Sequence, residues 1–257
     1  MKRKYLLATV IASLILATGC KKDHIGAELV KGTTFYSAIP TSTKEVVFEY
    51  NSSVSSGTLL STRESPHPIY GNLVGNTWRV STCASVINAN SDCSGMFLTP
   101  YTTSQYYQPR PYITRIDFGE GFNTENVTSM EYMFGDCYRL TSLDLSHFNT
   151  QNVINMVGMF SNCYDLKSLD LSHFNTENVT EMVFMFSDCR SLTSLDLSNF
   201  DMSSVTQKRY MCSNLSLNSK HCTITCTETV QTELQNGTDM PTPEDGVTFT
   251  WVRPTSK

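Results

Sequence analysis

The sequence lacks the motifs of the common hydrolases and nucleotide-dependent enzymes. It contains no G-x-S-x-G, no H-E-x-x-H and no glycine-rich phosphate loop, and its five histidines form no catalytic pattern. The nine cysteines include no C-x-x-C pair, the spacing that zinc sites often show. These absences argue against an enzyme, and we expect neither a metal ion nor a cofactor.

Only one apolar run is long enough to suggest contact with a membrane. Three cations precede an apolar segment from Tyr5 to Leu16, and small residues lead to Cys20. This is the pattern of a secretory signal. The ending "ATGC" resembles a bacterial lipobox, with Ala17 in place of the more usual leucine. We therefore predict a signal over 1–19 and a lipid anchor on Cys20. The alternatives are an ordinary cleaved signal and a buried apolar segment.

Positive charge is scarce in the remaining chain. The formal net charge is -5, and the predicted signal carries Lys2, Arg3 and Lys4 with no acidic residue. Its removal changes the net charge to -8. An acidic chain is poorly suited to neutralise phosphates, so we expect no binding to nucleic acid.

The sequence is rich in internal repetition. Phe122, Phe148, Phe174 and Phe200 are each separated by 26 residues, and the three segments between them are nearly identical. A period of this length is typical of stacked repeat proteins. We predict repeats over 80–217. This region comprises a degenerate copy at 80–121 with an insertion near 98–112, three regular copies at 122–199, and a decayed copy at 200–217.

Each regular repeat has two parts. In "LTSLDLSHF", Leu143 and Leu145 alternate around Asp144, which indicates a strand. In "NVTSMEYMFGDC", apolar residues recur at spacings of mostly three and four, which predicts a short helix. The predicted fold class is α/β: a leucine-rich-repeat solenoid with a parallel strand stack on one side and short helices on the other. The methionine and cysteine stripes are predicted to be core.

The repeated unit resembles a known family. The 26-residue pattern "FNTxNVTxMxxMFxxCxxLTSLDLS", behind a lipoprotein-like signal, resembles the BspA-like leucine-rich repeat surface proteins of bacteria. The resemblance is strong over 113–217. It implies a surface interaction or adhesion role without naming a ligand.

The ends of the chain are predicted to flank and cap the repeats. We expect a tether with some structure over 20–43 and a small β-rich N-terminal cap over 44–79, with strands at 44–50 and 77–82. A C-terminal strand–helix–strand cap is expected over 218–257, since solenoids need polar terminal caps.

The repeated aspartates are the main candidate binding residues. If the leucines point inward, the aspartates point outward, in a row about 5 Å apart. Folding does not require them on this interpretation. The alternative is a solvated strand face copied by duplication. The candidate binding face contains Asp117, Asp144, Asp170, Asp196, His147 and His173.

An aromatic insertion and one cysteine pair supply further candidates. The insertion "YTTSQYYQPRPY" carries Tyr101, Tyr106, Tyr107 and Tyr112, which can stack on sugar rings or pack against a cap. Cys83 and Cys93 lie ten residues apart around a turn-like segment and are a candidate disulfide in an exported protein.

These observations predict a lipid-anchored bacterial surface protein that binds a protein ligand through its repeat face. The alternatives are a glycan-binding lipoprotein and a structural lipoprotein of the envelope. No aspartate directly follows Cys20, which agrees with sorting to the outer membrane.

Overall fold

The computed structural model describes residues 26–98, 112–236, 239–242 and 245–254. Within these residues the chain forms two helices and twelve strands, arranged in three sheets. The helices are α1 (Gly32–Ala38) and α2 (Glu228–Gln235). The strands are β1 (Ala27–Glu28), β2 (Glu45–Tyr50), β3 (Thr58–Leu59), β4 (Ile69–Val74), β5 (Thr77–Thr82), β6 (Ile87–Asn88), β7 (Arg115–Asp117), β8 (Phe122–Asn123), β9 (Ser168–Asp170), β10 (Ser194–Asp196), β11 (His221–Thr225) and β12 (Thr248–Val252).

The N-terminal region contains a five-stranded sheet in the order β3-β4-β5-β2-β7. β4 and β5 form an antiparallel hairpin, whereas β2 runs parallel to both β5 and β7. Val46 and Phe48 are buried and alternate with more exposed residues, as expected for a strand with one face on the core. The strands predicted at 44–50 and 77–82 are thus confirmed.

The segment predicted as a tether is part of the packed core from Ala27 onward. β1 pairs with β6 in parallel, and α1 places Phe35 in a fully buried position. The Phe35 ring centroid lies 5.1 Å from that of Trp78 and 5.8 Å from that of Phe97. Apolar burial of this extent overrides the polar, turn-rich composition that suggested a tether.

The repeats stack in parallel, but the helix predicted in each of them is wrong. The corresponding segments are tight turns, with single parallel bridges from Ser129 to Asn155 and from Asn155 to Glu181. Tyr132 and Asp136 have φ values of 48° and 59°, in the left-handed region. A residue in the left-handed region interrupts a right-handed helix. The apolar residues three and four positions apart therefore belong to successive tight turns, not to one helix.

The strand side of the stack forms a parallel sheet in the order β12-β11-β10-β9. Leu169, Leu195 and Ile224 lie opposite one another and are buried. The structure is therefore mixed α/β with parallel strand stacks, an arrangement compatible with the expected solenoid. After the repeats, the chain forms the strand, helix and strand that the sequence predicts there.

Equivalent side chains form continuous columns in the core. Phe97, Phe134, Phe160 and Phe186 are fully or almost fully buried, and successive rings stack with centroids 5.6, 5.7 and 5.9 Å apart. The repeated methionines are all 0% exposed, which confirms that the stripe is core: Met130, Met133, Met156, Met159, Met182 and Met185.

Candidate functional site

The aspartates of the three regular repeats lie where each strand segment meets a turn. A carboxylate oxygen of each accepts a hydrogen bond of 2.9 Å from the backbone N–H of the serine two residues later. The pairs are Asp144 with Ser146, Asp170 with Ser172 and Asp196 with Ser198. Such an Asx turn fixes the side chain and ends the strand. The aspartates therefore have a local structural contact in addition to the surface position expected from the sequence.

The same aspartates belong to an exposed surface, here called the polar strand face. β9 and β10 pair in register, with Asp170 opposite Asp196. The Lys167 N–H donates to the Thr141 carbonyl oxygen at 3.2 Å, so the segment carrying Asp144 runs beside β9. Because side chains alternate along a strand, the residues between the buried ones face outward. The polar strand face consists of Asp144, Ser168, Asp170, Ser194, Asp196, His221, Thr223, Thr225, Thr248 and Thr250.

Two of these carboxylates are held in their charged form by hydrogen bonds. The backbone N–H and the side chain of Ser146 lower the pKa of Asp144 below its ordinary value, and His147 and His173 contribute less. The side chain and backbone N–H of Ser172 likewise lower the pKa of Asp170. Both side chains are exposed, so the polar strand face presents negative charge to solvent at neutral pH.

Asp117 lies in a different sheet from Asp170 and Asp196. It lies in β7, which pairs with β2 in the N-terminal sheet and places Asp117 opposite Val47. Its carboxylate forms an ion pair of 2.6 Å with Arg115 and accepts the Gly119 N–H at 3.0 Å. The repetition of "LDL" as "IDF" correctly predicts a strand but not its neighbour.

The two predicted histidines differ in environment. His173 Nε2 lies 2.6 Å from the Leu145 carbonyl oxygen of the preceding repeat, and its ring contacts Phe174 edge-on at 5.3 Å. His147 is exposed. The contacts of His173 tie two repeats together, while His147 borders the polar strand face.

A buried threonine in each "FNT" joins successive repeats, a role the sequence analysis missed. The Thr150 hydroxyl donates to the Asn175 carbonyl oxygen and accepts the Asn175 N–H, both at 2.9 Å. Thr124 and Thr176 make the same pair of bonds to the following repeat. The sequence signal was the threonine that recurs every 26 residues. A hydroxyl that is buried in each repeat needs a hydrogen-bond partner.

Aromatic rings also form an exposed row. Tyr112 is 51% exposed, and its ring lies 5.8 Å from that of Tyr138. The Tyr138 ring lies 6.4 Å from Tyr164, whose ring is covered by the Arg190 guanidinium at 5.1 Å. These four positions are 26 residues apart. The other candidate tyrosines, Tyr101, Tyr106 and Tyr107, lie outside the described residues.

The repeated cysteines are buried free thiols. The Cys163 thiol donates to the Phe134 carbonyl oxygen at 3.3 Å, and the Cys189 thiol donates to Phe160 at 3.2 Å. Burial raises the pKa of both thiols and keeps them neutral. The described residues contain no group of three or more histidine, cysteine or acidic side chains that could hold a metal ion.

The disulfide predicted between Cys83 and Cys93 is not formed. Cys93 is a free thiol that donates to the Asn90 carbonyl oxygen at 3.2 Å within its own turn. Cys83 is disulfide-bonded, but not to Cys93, and its sulfur lies 3.9 Å from His67 Nδ1. The short separation of Cys83 and Cys93 in the sequence therefore does not place their sulfur atoms within bonding distance.

The predicted anchor at Cys20 lies outside the described residues. No helix within the described ranges is long and apolar enough to cross a membrane.

The comparisons with known proteins concern the repeats. Residues 104–224 match a family model described as "Mycoplasma protein of unknown function, DUF285". The family is associated with BspA-like surface repeat proteins. The match covers just under half of the chain and includes all three regular repeats. No curated protein and no solved structure matches the chain.

Proposed function

We propose that the chain is a lipid-anchored bacterial surface protein whose leucine-rich-repeat solenoid binds a protein partner through the polar strand face. The observation that carries the proposal is the fixed row formed by the exposed Asp144 and Asp170 and the half-buried Asp196. Each carboxylate is oriented by its Asx turn, and none forms an ion pair with another described side chain. Their charge is therefore available to a basic partner surface.

Fixed geometry favours binding over simple solvation. Oriented charges lose little side-chain entropy when a partner docks, and complementary charge mainly increases association rate and specificity. The flanking serine and threonine hydroxyls supply donors and acceptors along the same rows. Cys20 would hold this surface at the outer membrane, and the proposal includes no enzymatic activity.

A pull-down from host and bacterial surface extracts tests the proposal. The bait is the 21–257 chain, compared with a variant carrying Asp144→Asn, Asp170→Asn and Asp196→Asn. Asparagine retains the acceptor oxygen of the Asx turn, so only charge is lost. We expect the affinity for the captured protein to fall about tenfold, which corresponds to about 0.5 kcal/mol for each of the three charges.

The matched control removes three charges elsewhere on the repeats. Glu125→Gln and Glu177→Gln alter exposed residues of the "FNTE" turns, and Asp201→Asn alters an exposed residue of the corresponding "FDMS" turn. The control variant should bind like the wild type. An unchanged affinity of the first variant would contradict a role for the aspartates.

Anchoring and location need separate measurements. Cys20→Ser should abolish incorporation of labelled fatty acid and release the chain from membranes. Protease treatment of intact cells should remove the repeats if they face outward, and full protection would contradict surface exposure.

Glycan binding is a second candidate because of the exposed tyrosine row. Tyr112 offers the most exposed ring, whereas Arg190 already covers one face of Tyr164. A glycan array with the wild type and Tyr112→Ala tests it. Glycan signals that persist in this variant would exclude the row as the binding surface.

A further inference from the structure

The last strand of the parallel sheet has an open outer edge. Among the described residues, β12 pairs only with β11. The Thr248 N–H donates to the Lys220 carbonyl oxygen, and the Val252 carbonyl oxygen accepts the Cys226 N–H. In a parallel ladder alternate residues bond to the same neighbour, so the backbone groups of Phe249 and Trp251 point away from β11.

This edge differs from the other sheet edges in the described region. β1, β3 and β8 have two residues each, and β7 has three, with Arg115 and Asp117 among them. β9 also has three residues, and the Thr141 segment continues beside it. β12 has five residues and no charge. Short or charged edges resist pairing with another strand, whereas a longer uncharged edge favours it.

The core-facing side of β12 is also incompletely covered. Cys222 and Ile224 of β11 are 0% exposed, but Phe249 and Trp251 are only partly buried. A groove of about 440 Å³ adjoins these two rings, and Met240 is also in its lining. One more strand beside β12 would complete the burial of both rings.

We propose that a second copy of this chain supplies that strand, with the two β12 strands pairing antiparallel about a two-fold axis at Thr250. This register places Phe249 of each copy opposite Trp251 of the other, as hydrogen-bonded pairs through the outward backbone groups. Aromatic cross-strand pairs of this kind stabilise antiparallel strands. A two-fold interface uses the same patch on both copies, which β12 provides.

The charges that flank β12 are complementary in this arrangement. Asp245 precedes the strand and Arg253 follows it. Within one copy the Arg253 guanidinium donates to the Cys226 carbonyl oxygen at 3.2 Å and to Gln231 Oε1 at 2.7 Å. Antiparallel pairing brings Arg253 diagonally across from Asp245 of the other copy, and the side chain reaches this carboxylate by exchanging its two neutral acceptors for a charged one. A parallel arrangement would instead place like charges together. The opposite charges at the two ends of β12 thus favour antiparallel pairing with a second copy.

Cysteine cross-linking tests the axis directly in the full chain. Thr250→Cys places two thiols opposite each other at the axis, and mild oxidation should give a covalent dimer on denaturing gels. Thr223→Cys is the matched control, because Thr223 lies beside Thr250 on the same face but in the interior strand β11. We expect a dimer band for the first variant and none for the second or the wild type.

A charge variant gives an independent measurement. Thr250→Lys places two ammonium groups about 5 Å apart at the axis, which should weaken dimerisation about fourfold at low salt. Thr223→Lys should leave the dimer dissociation constant unchanged in sedimentation experiments. A monomeric wild-type chain, or equal cross-linking of both cysteine variants, would overturn the proposal.

Discussion

The N-terminal sheet and the repeats hold their neighbouring segments together by different means. β2, β4 and β5 each have six residues and are joined by continuous backbone ladders. In the repeats, the strands have three residues at most, and the turn side is joined by single bridges. There, threonine hydroxyls, thiols and stacked rings connect each repeat to the next. Repetition thus lets side-chain ladders supplement a short backbone ladder.

Breaking the phenylalanine column should have the largest effect. Phe160 is fully buried between the rings of Phe134 and Phe186. Phe160→Ala removes both contacts and leaves a cavity, so the free energy of unfolding should fall by about 3–5 kcal/mol. Urea denaturation measures this. Ile154→Ala, at a residue 50% exposed in the same repeat, should change stability by no more than about 0.5 kcal/mol. Equal losses for both would contradict the column's importance.

Loss of a threonine hydrogen bond between repeats should have the second-largest effect on stability. Thr150→Val keeps the side-chain shape but leaves the Asn175 N–H and C=O without their partner, which should cost about 1–3 kcal/mol in the free energy of unfolding. Thr180 is more exposed, and its hydroxyl makes a weaker bond of 3.5 Å to Ile154. Thr180→Val should therefore be nearly neutral. A neutral Thr150→Val would contradict a stabilising role for this hydroxyl.

Much of the repeat architecture could be predicted from the 26-residue period. The period identifies the buried leucines, phenylalanines and methionines, because equivalent residues in stacked units share one environment. It does not distinguish a helix from a series of turns, since both place apolar residues three and four positions apart. Tyr132 gives no sequence signal for its left-handed conformation. Asp136 does give one, because aspartate and asparagine favour that region, and Asn162 and Asp188 adopt it at the same position of the next two repeats.

The candidate site could be predicted only in part. The exposure of Asp144 and Asp170 follows from strand alternation between buried leucines. Their Asx turns depend on local backbone geometry, and the assignment of Asp117 to another sheet depends on a partner strand far away in sequence. Local patterns carry no information about such long-range pairing.

A substitution at Asp170 separates its turn contact from its charge. Asp170→Ala removes the acceptor of the Ser172 N–H and should reduce the free energy of unfolding by about 0.5–1.5 kcal/mol. Asp170→Asn keeps an acceptor oxygen and should be close to wild type. Thermal and urea unfolding of both variants measure the difference. Equal destabilisation by alanine and asparagine would assign the effect to charge rather than to the turn.

The smallest expected effect is a pH dependence of the strand-end turns. The pKa values of Asp144 and Asp170 are lowered in the folded chain. A lowered carboxyl pKa contributes stability that is present above the unfolded pKa and is lost as pH falls through the folded pKa. Urea midpoints measured between about pH 5 and pH 2 should therefore fall more for the wild type than for the Asp144→Asn, Asp170→Asn variant. The difference should be small because both side chains are exposed and solvent screens them. Parallel pH profiles would mean that the Asx turns hold the protonated and charged forms equally well.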